Sequence, residues 1–585
     1  MRPNGMSSRR LIVAALALAA VAACTGGDRR ADEEEGADVA GRAESQAQEL
    51  GSLVDRFLEA SFEADPLFAV DQGRHEYDGR FPDWSPAGIG RRVGRLEGFR
   101  AEALALADGD LSEAERFDRD YLVAVIDGQL FWLRDAEWWR RNPTFYNFSP
   151  SVYLTRDYAP LAERMRAYTT WAENVPATLA QARENLETPL PRTYVDIGKL
   201  AMGGLVEFLR GDVPGVFAAV EDVQAQQAFA EANAKAAAAF AETLAWFSEQ
   251  EAAATEDFRL GPEMFRQMLA ATERVDTPLA ELLAVGERDL ERNLAALAAA
   301  CTGIAPGAAV VDCIARVQAD KPEGSVVAAA QEQLATLKRF LIQHDSVSIP
   351  GTEEARVAEA PPFNRWNFAY IEIPGPFEQK PLPSTYYIAP PDPSWPEEEQ
   401  QAYLPGRSDL LFTSVHEVWP GHFLQFLHAQ RADSKLARSF VGYAFAEGWA
   451  HYTEELMWEL GLGGGDPATH VGQLLNALLR NVRYLCAIGY HAGEMSVEEC
   501  EAMFREKAFQ DPGNARQQAA RGTFDPAYLN YTMGKLMIRK LREDWTAAHG
   551  GRASWKLFHD RFLSFGGPPV PLVRRAMVGD AGTPL

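Results

Sequence analysis

Between Glu49 and Arg339 apolar residues recur at three- and four-residue spacing, interleaved with charge and rich in alanine. That period belongs to helices with one buried face, and the runs Ala225–Gln250 and Leu279–Ala300 carry it over many turns. From Ser346 to Pro396 the texture changes. Prolines and aromatics crowd together, and Trp366–Ile373 and Thr385–Ala389 have the short β-branched and aromatic content of strands. Helical periodicity resumes at Ser408 and runs almost to the C-terminus. The pattern predicts a mainly α fold: one large helical body in two halves around a cleft, with a small β segment near 360–390. No repeat and no internal Pro/Gly/Ser linker divides it.

The N-terminus has a different pattern. Arg9 and Arg10 precede an unbroken apolar run, Leu11–Ala20, too short to span a bilayer comfortably. Val21-Ala22-Ala23-Cys24 follows, and small residues before a cysteine at the end of such a run resemble a lipobox. Residues 1–24 therefore read as a lipoprotein signal peptide, with Cys24 the lipidated residue and the membrane reached through that lipid. Thr25, rather than Asp, after the cysteine resembles an outer-membrane address, so the expected location is the periplasmic face of the outer membrane. Residues 25–47 are acidic, small and polar, and cannot bury enough apolar surface to fold. They read as a tether, leaving 48–585 as the folded domain.

The net charge of −26 argues against nucleic acid as a partner, since phosphate binding needs basic patches. Four cysteines remain beyond Cys24, in two local pairs. In an exported chain, Cys301 with Cys313 and Cys486 with Cys500 read as disulfides rather than buried thiols. Neither pair has the C-x-x-C spacing of a zinc or redox site.

The candidate chemistry lies in Ser414-Val-His416-Glu417-Val-Trp-Pro420-Gly421-His422. Hydrolytic zinc sites combine imidazole and carboxylate ligands, keep one position for water, and place a glutamate beside it as base. In H-E-x-x-H the two histidines sit one helical turn apart. Here the second is six residues on, and six steps turn about 600°, leaving the side chains roughly 120° apart. A straight helix cannot aim both at one ion. Pro420 and Gly421 fall inside the gap and supply the break that would bring His422 round. A third ligand is expected from another helix, and Glu447, 25 residues after His422 in Ala446-Glu447-Gly448-Trp449-Ala450-His451-Tyr452, is the natural choice. His451, one turn further on, could ligate as well or hydrogen-bond a ligand. His428, His470, His549 and His559 show no partner spacing.

HEVWPGHFLQ followed by EGWAHYTEEL resembles the bacterial family called domain of unknown function 885, whose pattern is H-E-x-x-P-G-H-x-x-Q and then E-G-W-A-x-Y. Gly489-Tyr490-His491 after Arg480 and Arg483, the segment Arg521–Arg542, and Gly73-Arg-His75-Glu-Tyr77-Asp-Gly also match its segments. The likeness thus covers nearly all of the mature chain. More distantly, that family resembles the helical zinc peptidases of the angiotensin-converting-enzyme, thimet oligopeptidase and Taq carboxypeptidase type, which use H-E-x-G-H and a glutamate about 25 residues on. The chain departs from these in the two extra residues, and from the family in having His451 where an apolar residue is usual. The resemblance implies one Zn2+ held by His416, His422 and Glu447, with Glu417 as base. His491 and Tyr531 occupy the region from which such peptidases draw donors for the tetrahedral oxyanion. Arg521 could bind a substrate carboxylate in bidentate fashion.

The reading is a zinc metallopeptidase acting on short peptides outside the cytoplasm, with substrate lying along Trp366–Ile373 as an added strand. A zinc amidase acting on cell-wall or small amide substrates would keep the same ligands. A non-catalytic binding lipoprotein would have replaced a ligand or the base, and here all are present.

Overall fold

The computed structural model describes residues 46–361, 365, 368–579 and 583–585. Cys24 and the rest of the signal and tether segments up to residue 45 lie outside the described residues. A helix over 46–64 begins inside the stretch expected to be tether, because Leu50, Leu53, Val54, Phe57 and Leu58 give it a buried face. Among the described residues, no helix is long and apolar enough to cross a membrane.

The fold is mainly helical with a small sheet, as the periodicity predicts. In the N-terminal half, α1 (Leu161–Asn185) and α2 (Arg192–Gly211) pack on α3 (Val223–Gln250). The last of these starts where Asp222 accepts hydrogen bonds from the Gln224 and Ala225 amides, satisfying two orphan donors of the first turn. α4 (Leu279–Ile304), in the C-terminal half, is four residues longer than its periodic run.

The sheet is larger than the sequence suggests. β1 (Ala355–Glu359), β2 (Ala369–Glu372) and β3 (Ser384–Ile388) pair in the order β1-β3-β2. β1 runs parallel to β3, with Val357 opposite Tyr386, and β2 runs antiparallel, with Ile371 opposite the same residue. β3 is buried along its whole length, as a central strand flanked on both sides should be. β1 has no strand signature, since Ala-Arg-Val-Ala-Glu is only weakly apolar, and it becomes a strand by pairing with β3. β2 is shorter than Trp366–Ile373, and Trp366 lies outside the described residues.

Among the helices of the C-terminal half, those that frame the candidate site are α5 (Arg407–Glu417), α6 (His422–Ala429), α7 (Tyr443–Glu459), α8 (Pro467–His491), α9 (Pro512–Phe524) and α10 (Asn530–Ala547). α4 packs along α8, and α7 along α10. The core divides accordingly. One apolar cluster is drawn almost wholly from residues 50–247, the other mainly from 258–578. Polar ties cross between the halves: Asn142 donates to the Phe524 carbonyl at 2.9 Å, and Tyr194 to that of Thr523 at 2.9 Å.

A strap joins the N-terminal half to the sheet. A Cβ on Gly73 would stand 2.5 Å from the Glu378 amide nitrogen, so the backbones touch there as only glycine allows. Phe377 donates its amide to the Gln72 carbonyl at 3.0 Å. His75 stacks on Tyr158 at 3.5 Å and bridges Asp78 (3.0 Å) and Glu378 (3.2 Å). Arg156 binds Glu372, the last residue of β2, at 2.7 Å.

Cys301 and Cys313 form a disulfide with Cα atoms 5.6 Å apart, and Cys486 and Cys500 form a second at 5.8 Å.

Candidate metal centre

α5 ends at Glu417, and α6 begins at His422. Between them the Trp419–Pro420 peptide is cis, and the Gly421 amide donates to the Val415 carbonyl at 3.0 Å. The chain doubles back so tightly that a Cβ on Gly421 would lie 1.8 Å from the His416 carbonyl oxygen. Only glycine fits that turn. The two histidines therefore sit on different helices, and their rings approach nearly perpendicular with centroids 4.8 Å apart.

Glu447 comes from α7, and two contacts hold that helix in place. The Trp449 indole donates to the Pro420 carbonyl at 2.8 Å, so the Gly-Trp following the glutamate ties it to the turn between the histidines. On the opposite side, a Cβ on Gly448 would lie 2.5 Å from the Gly534 Cα, a glycine-on-glycine crossing that brings α7 and α10 to backbone contact. Buried Glu273 accepts from the Ala444 amide (3.3 Å) and from Asn530 (2.8 Å), linking the starts of both helices, and burial pushes its carboxyl up to about 8.

Glu447 Oε2 lies 3.2 Å from His416 Nε2 and 3.4 Å from His422 Nε2. It is buried yet makes no well-formed hydrogen bond, and the three ligand atoms lie within 4.8 Å of one another. Tetrahedral zinc with bonds of about 2.0–2.1 Å separates its ligand atoms by roughly 3.3 Å. The two nitrogen-to-oxygen spacings match that edge, and two imidazoles with one carboxylate are an ordinary zinc donor set. The residues fit the ion. Burial alone would raise Glu447, but the two imidazoles outweigh it and hold the carboxyl well below its usual range.

A supporting layer was not anticipated from the sequence. His416 Nδ1 bonds Glu454 Oε1 at 2.8 Å, which leaves Nε2 facing Glu447 and fixes the ring, as carboxylates behind metal-ligating histidines do. Glu454 also pairs with Arg480 at 3.1 Å and with His451 at 3.2 Å. Of the two roles open to His451, its contact is thus with the carboxylate behind His416, and it is not among the converging ligand atoms. Burial lowers His451 to about 4. Glu454 lies seven residues after Glu447, two turns along the same face of α7, and that spacing was the available signal.

Glu417 is the last residue of α5, half-buried, with its charge felt by the buried Tyr386 of β3. Tyr531 stacks on His416 at 6.3 Å and lies edge-on to Tyr443 at 5.7 Å. Arg521 is tied to Asp525 (3.1 Å) and to the Tyr443 hydroxyl (3.2 Å), so an internal carboxylate already occupies its guanidinium. His491 is not brought to the cluster. It is eleven residues beyond Arg480 on α8, about 16 Å of helix rise. There it is fully buried, paired through Nε2 with the Gly522 carbonyl and stacked on Phe265. Burial lowers it to about 4, as befits a neutral core imidazole.

Residues 66–577 match the family model described as bacterial protein of unknown function (DUF885). Two solved structures share the fold. One is a candidate lipoprotein of unknown function from Shewanella oneidensis, 22% identical, with a TM-score of 0.73 over 91% of this chain and 99% of that one. The other is a candidate lipoprotein from Colwellia psychrerythraea, 17% identical, with a TM-score of 0.75 over 91% and 98%. No curated protein matches the chain.

Proposed function

The chain belongs to the DUF885 family of bacterial proteins, and from that premise we propose that it is a zinc-dependent peptidase acting on short peptides outside the cytoplasm. One observation carries the reading. A buried carboxylate oxygen that makes no well-formed hydrogen bond stands at zinc-edge spacing from two imidazole nitrogens, with a catalytic-type glutamate next in sequence to one of them.

His416, His422 and Glu447 would hold one zinc ion. Such an ion supplies a Lewis acid that activates water and polarises the scissile carbonyl. Glu417 takes the proton from the attacking water and passes it to the amine nitrogen as the C–N bond breaks. Glu454 and Arg480 keep His416 from rotating. The Tyr531 hydroxyl, on the ring that faces His416, donates to the developing oxyanion. β2 packs on α5, the helix that carries His416 and Glu417, so an extended peptide laid against the sheet would pass beside the cluster. Lipid on Cys24 would place this activity at a membrane surface, in keeping with the lipoprotein descriptions of the two structural neighbours.

A peptide-library digest read by mass spectrometry, with and without chelator, tests the proposal. Cleavage that chelator abolishes and zinc restores is expected. Cleavage of cell-wall fragments without cleavage of linear peptides would reassign the protein as an amidase. No cleavage of either by zinc-loaded protein would leave a binding protein.

A further inference from the structure

Three arginines surround Tyr531 and Tyr443 beside the cluster. Arg480 is matched by Glu454 at 3.1 Å, and Arg521 by Asp525 at 3.1 Å. Arg483 is different. It is 8% exposed, and among the described residues no carboxylate reaches it. Its Nε donates to the Gln518 side-chain oxygen at 3.0 Å. Its guanidinium lies over the Tyr531 ring at 4.9 Å and over the Tyr528 ring at 5.2 Å. The Tyr528 hydroxyl bonds the same Gln518 oxygen at 2.8 Å, so the group that orients Arg483 is itself fixed.

A buried cation without a counter-charge is costly, and two aromatic faces offset only part of that cost. Such a residue is complementary to an anion supplied by a ligand, and a guanidinium fork suits a carboxylate in particular. The location limits which carboxylate. Arg483 is two ring contacts from the metal ligands, 4.9 Å to Tyr531 and 6.3 Å from there to His416. An extended chain advances about 3.3–3.6 Å per residue, so a carboxylate at Arg483 lies within about three residues of a bond placed at the cluster.

We propose that Arg483, oriented by Gln518 and sandwiched by Tyr528 and Tyr531, binds the terminal carboxylate of a peptide substrate and confines cleavage to bonds within about three residues of a free C-terminus. The inference rests on the zinc-peptidase reading for the word substrate, but the anion site stands on its own geometry. It also transfers to Arg483 the role that sequence reasoning gave to Arg521.

Calorimetry on zinc-loaded Glu417→Gln protein tests it, since turnover is blocked. Three ligands are compared: a short peptide acid, the same peptide as its C-terminal amide, and an amide whose last residue is glutamate. The acid should bind about tenfold to a hundredfold more tightly than the plain amide, the usual worth of a charge-assisted pair. Adding Arg483→Gln should bring that ratio close to one. Arg483→Lys, which keeps the charge and loses the fork, should retain part of it, and thermal melts establish that both variants are folded. Equal binding of acid and plain amide would overturn the proposal, as would a folded Arg483→Gln variant that still discriminates. A glutamate amide binding as tightly as the acid would overturn the assignment to the C-terminus. Discrimination without chelator-sensitive hydrolysis in the parent would keep the anion site and remove the peptidase. Hydrolysis without discrimination would do the reverse.

Discussion

At the scale of single residues, the site divides into groups that would touch the reacting atoms and groups that hold them. Glu417 belongs to the first kind. Glu417→Gln should bind zinc with parental stoichiometry and lose peptide hydrolysis by about a hundredfold or more, the scale of general-base catalysis. A variant with zinc bound and parental turnover would remove the mechanism while leaving the site. Glu454 belongs to the second kind. With Glu454→Ala, His416 loses the partner at 2.8 Å that sets its ring, and zinc affinity should fall about tenfold to a hundredfold in competition with a chromogenic chelator. That the two histidines and Glu447 converge could be read from the chain because candidate metal ligands have a restricted alphabet and their spacing follows helical geometry. Glu454, Arg480 and Arg483 could not be singled out in that way. An acidic or basic residue on a helix has many ordinary uses, and only the fold shows which of them face the ligands.

Between elements, the decisive contacts are made by residues without functional groups. Gly448 and Gly534 let α7 and α10 touch, and a methyl at position 448 would meet backbone rather than a side chain able to move aside. Gly448→Ala should therefore destabilise the protein by about 1–3 kcal/mol. Because Glu447 is the preceding residue, it should also weaken zinc binding, with thermal melts and metal titration reading the two effects separately. Helix boundaries were largely legible, as the α3 and α4 runs show, since amphipathic period and capping residues are local properties. β1 was not, because a weakly apolar five-residue segment takes its conformation from a partner distant in sequence. The strap from Gly73 to His75 lay in a segment matched to the family, but nothing in that match says that it grips residues 375–378. Burial lowers His75, but Asp78 and Glu378 outweigh it and push it up to about 9. A histidine raised above its ordinary 6.5 lends its full stabilisation below that pH and loses it as pH climbs through about 9. Denaturation midpoints should accordingly drop across pH 6.5–9 in the parent, and drop less in His75→Gln. Parallel profiles for the two proteins would show that the imidazolium contributes nothing.

For the whole molecule, the surplus of acid over base and the paired cysteines were readable because they depend on composition and compartment. Both disulfides lie in the C-terminal half and close loops of 12 and 14 residues, so each restrains a local segment rather than joining the halves. Association with a membrane, if Cys24 carries lipid, is a property of the first two dozen residues alone. Cys24→Ser should move the protein to the soluble fraction on cell fractionation without altering chelator-sensitive hydrolysis, and unchanged partitioning would count against lipid attachment.

The strap has a bearing on how the chain could be divided. All three residues of the proposed metal site, and the carboxylate and arginine behind them, come from residues 416–480, so on the proposed function a C-terminal fragment would contain every atom needed to capture an ion. The strand beside them is another matter, for Glu372 is gripped by Arg156 and the segment just after it by Gln72, Gly73 and His75. A fragment without the first half would resemble a vice with one jaw: able to hold the proposed ion, but with no fixed surface against which to lay the proposed peptide. Co-expressing the two halves as separate chains and asking whether cleavage returns while metal content stays constant would show that dependence directly.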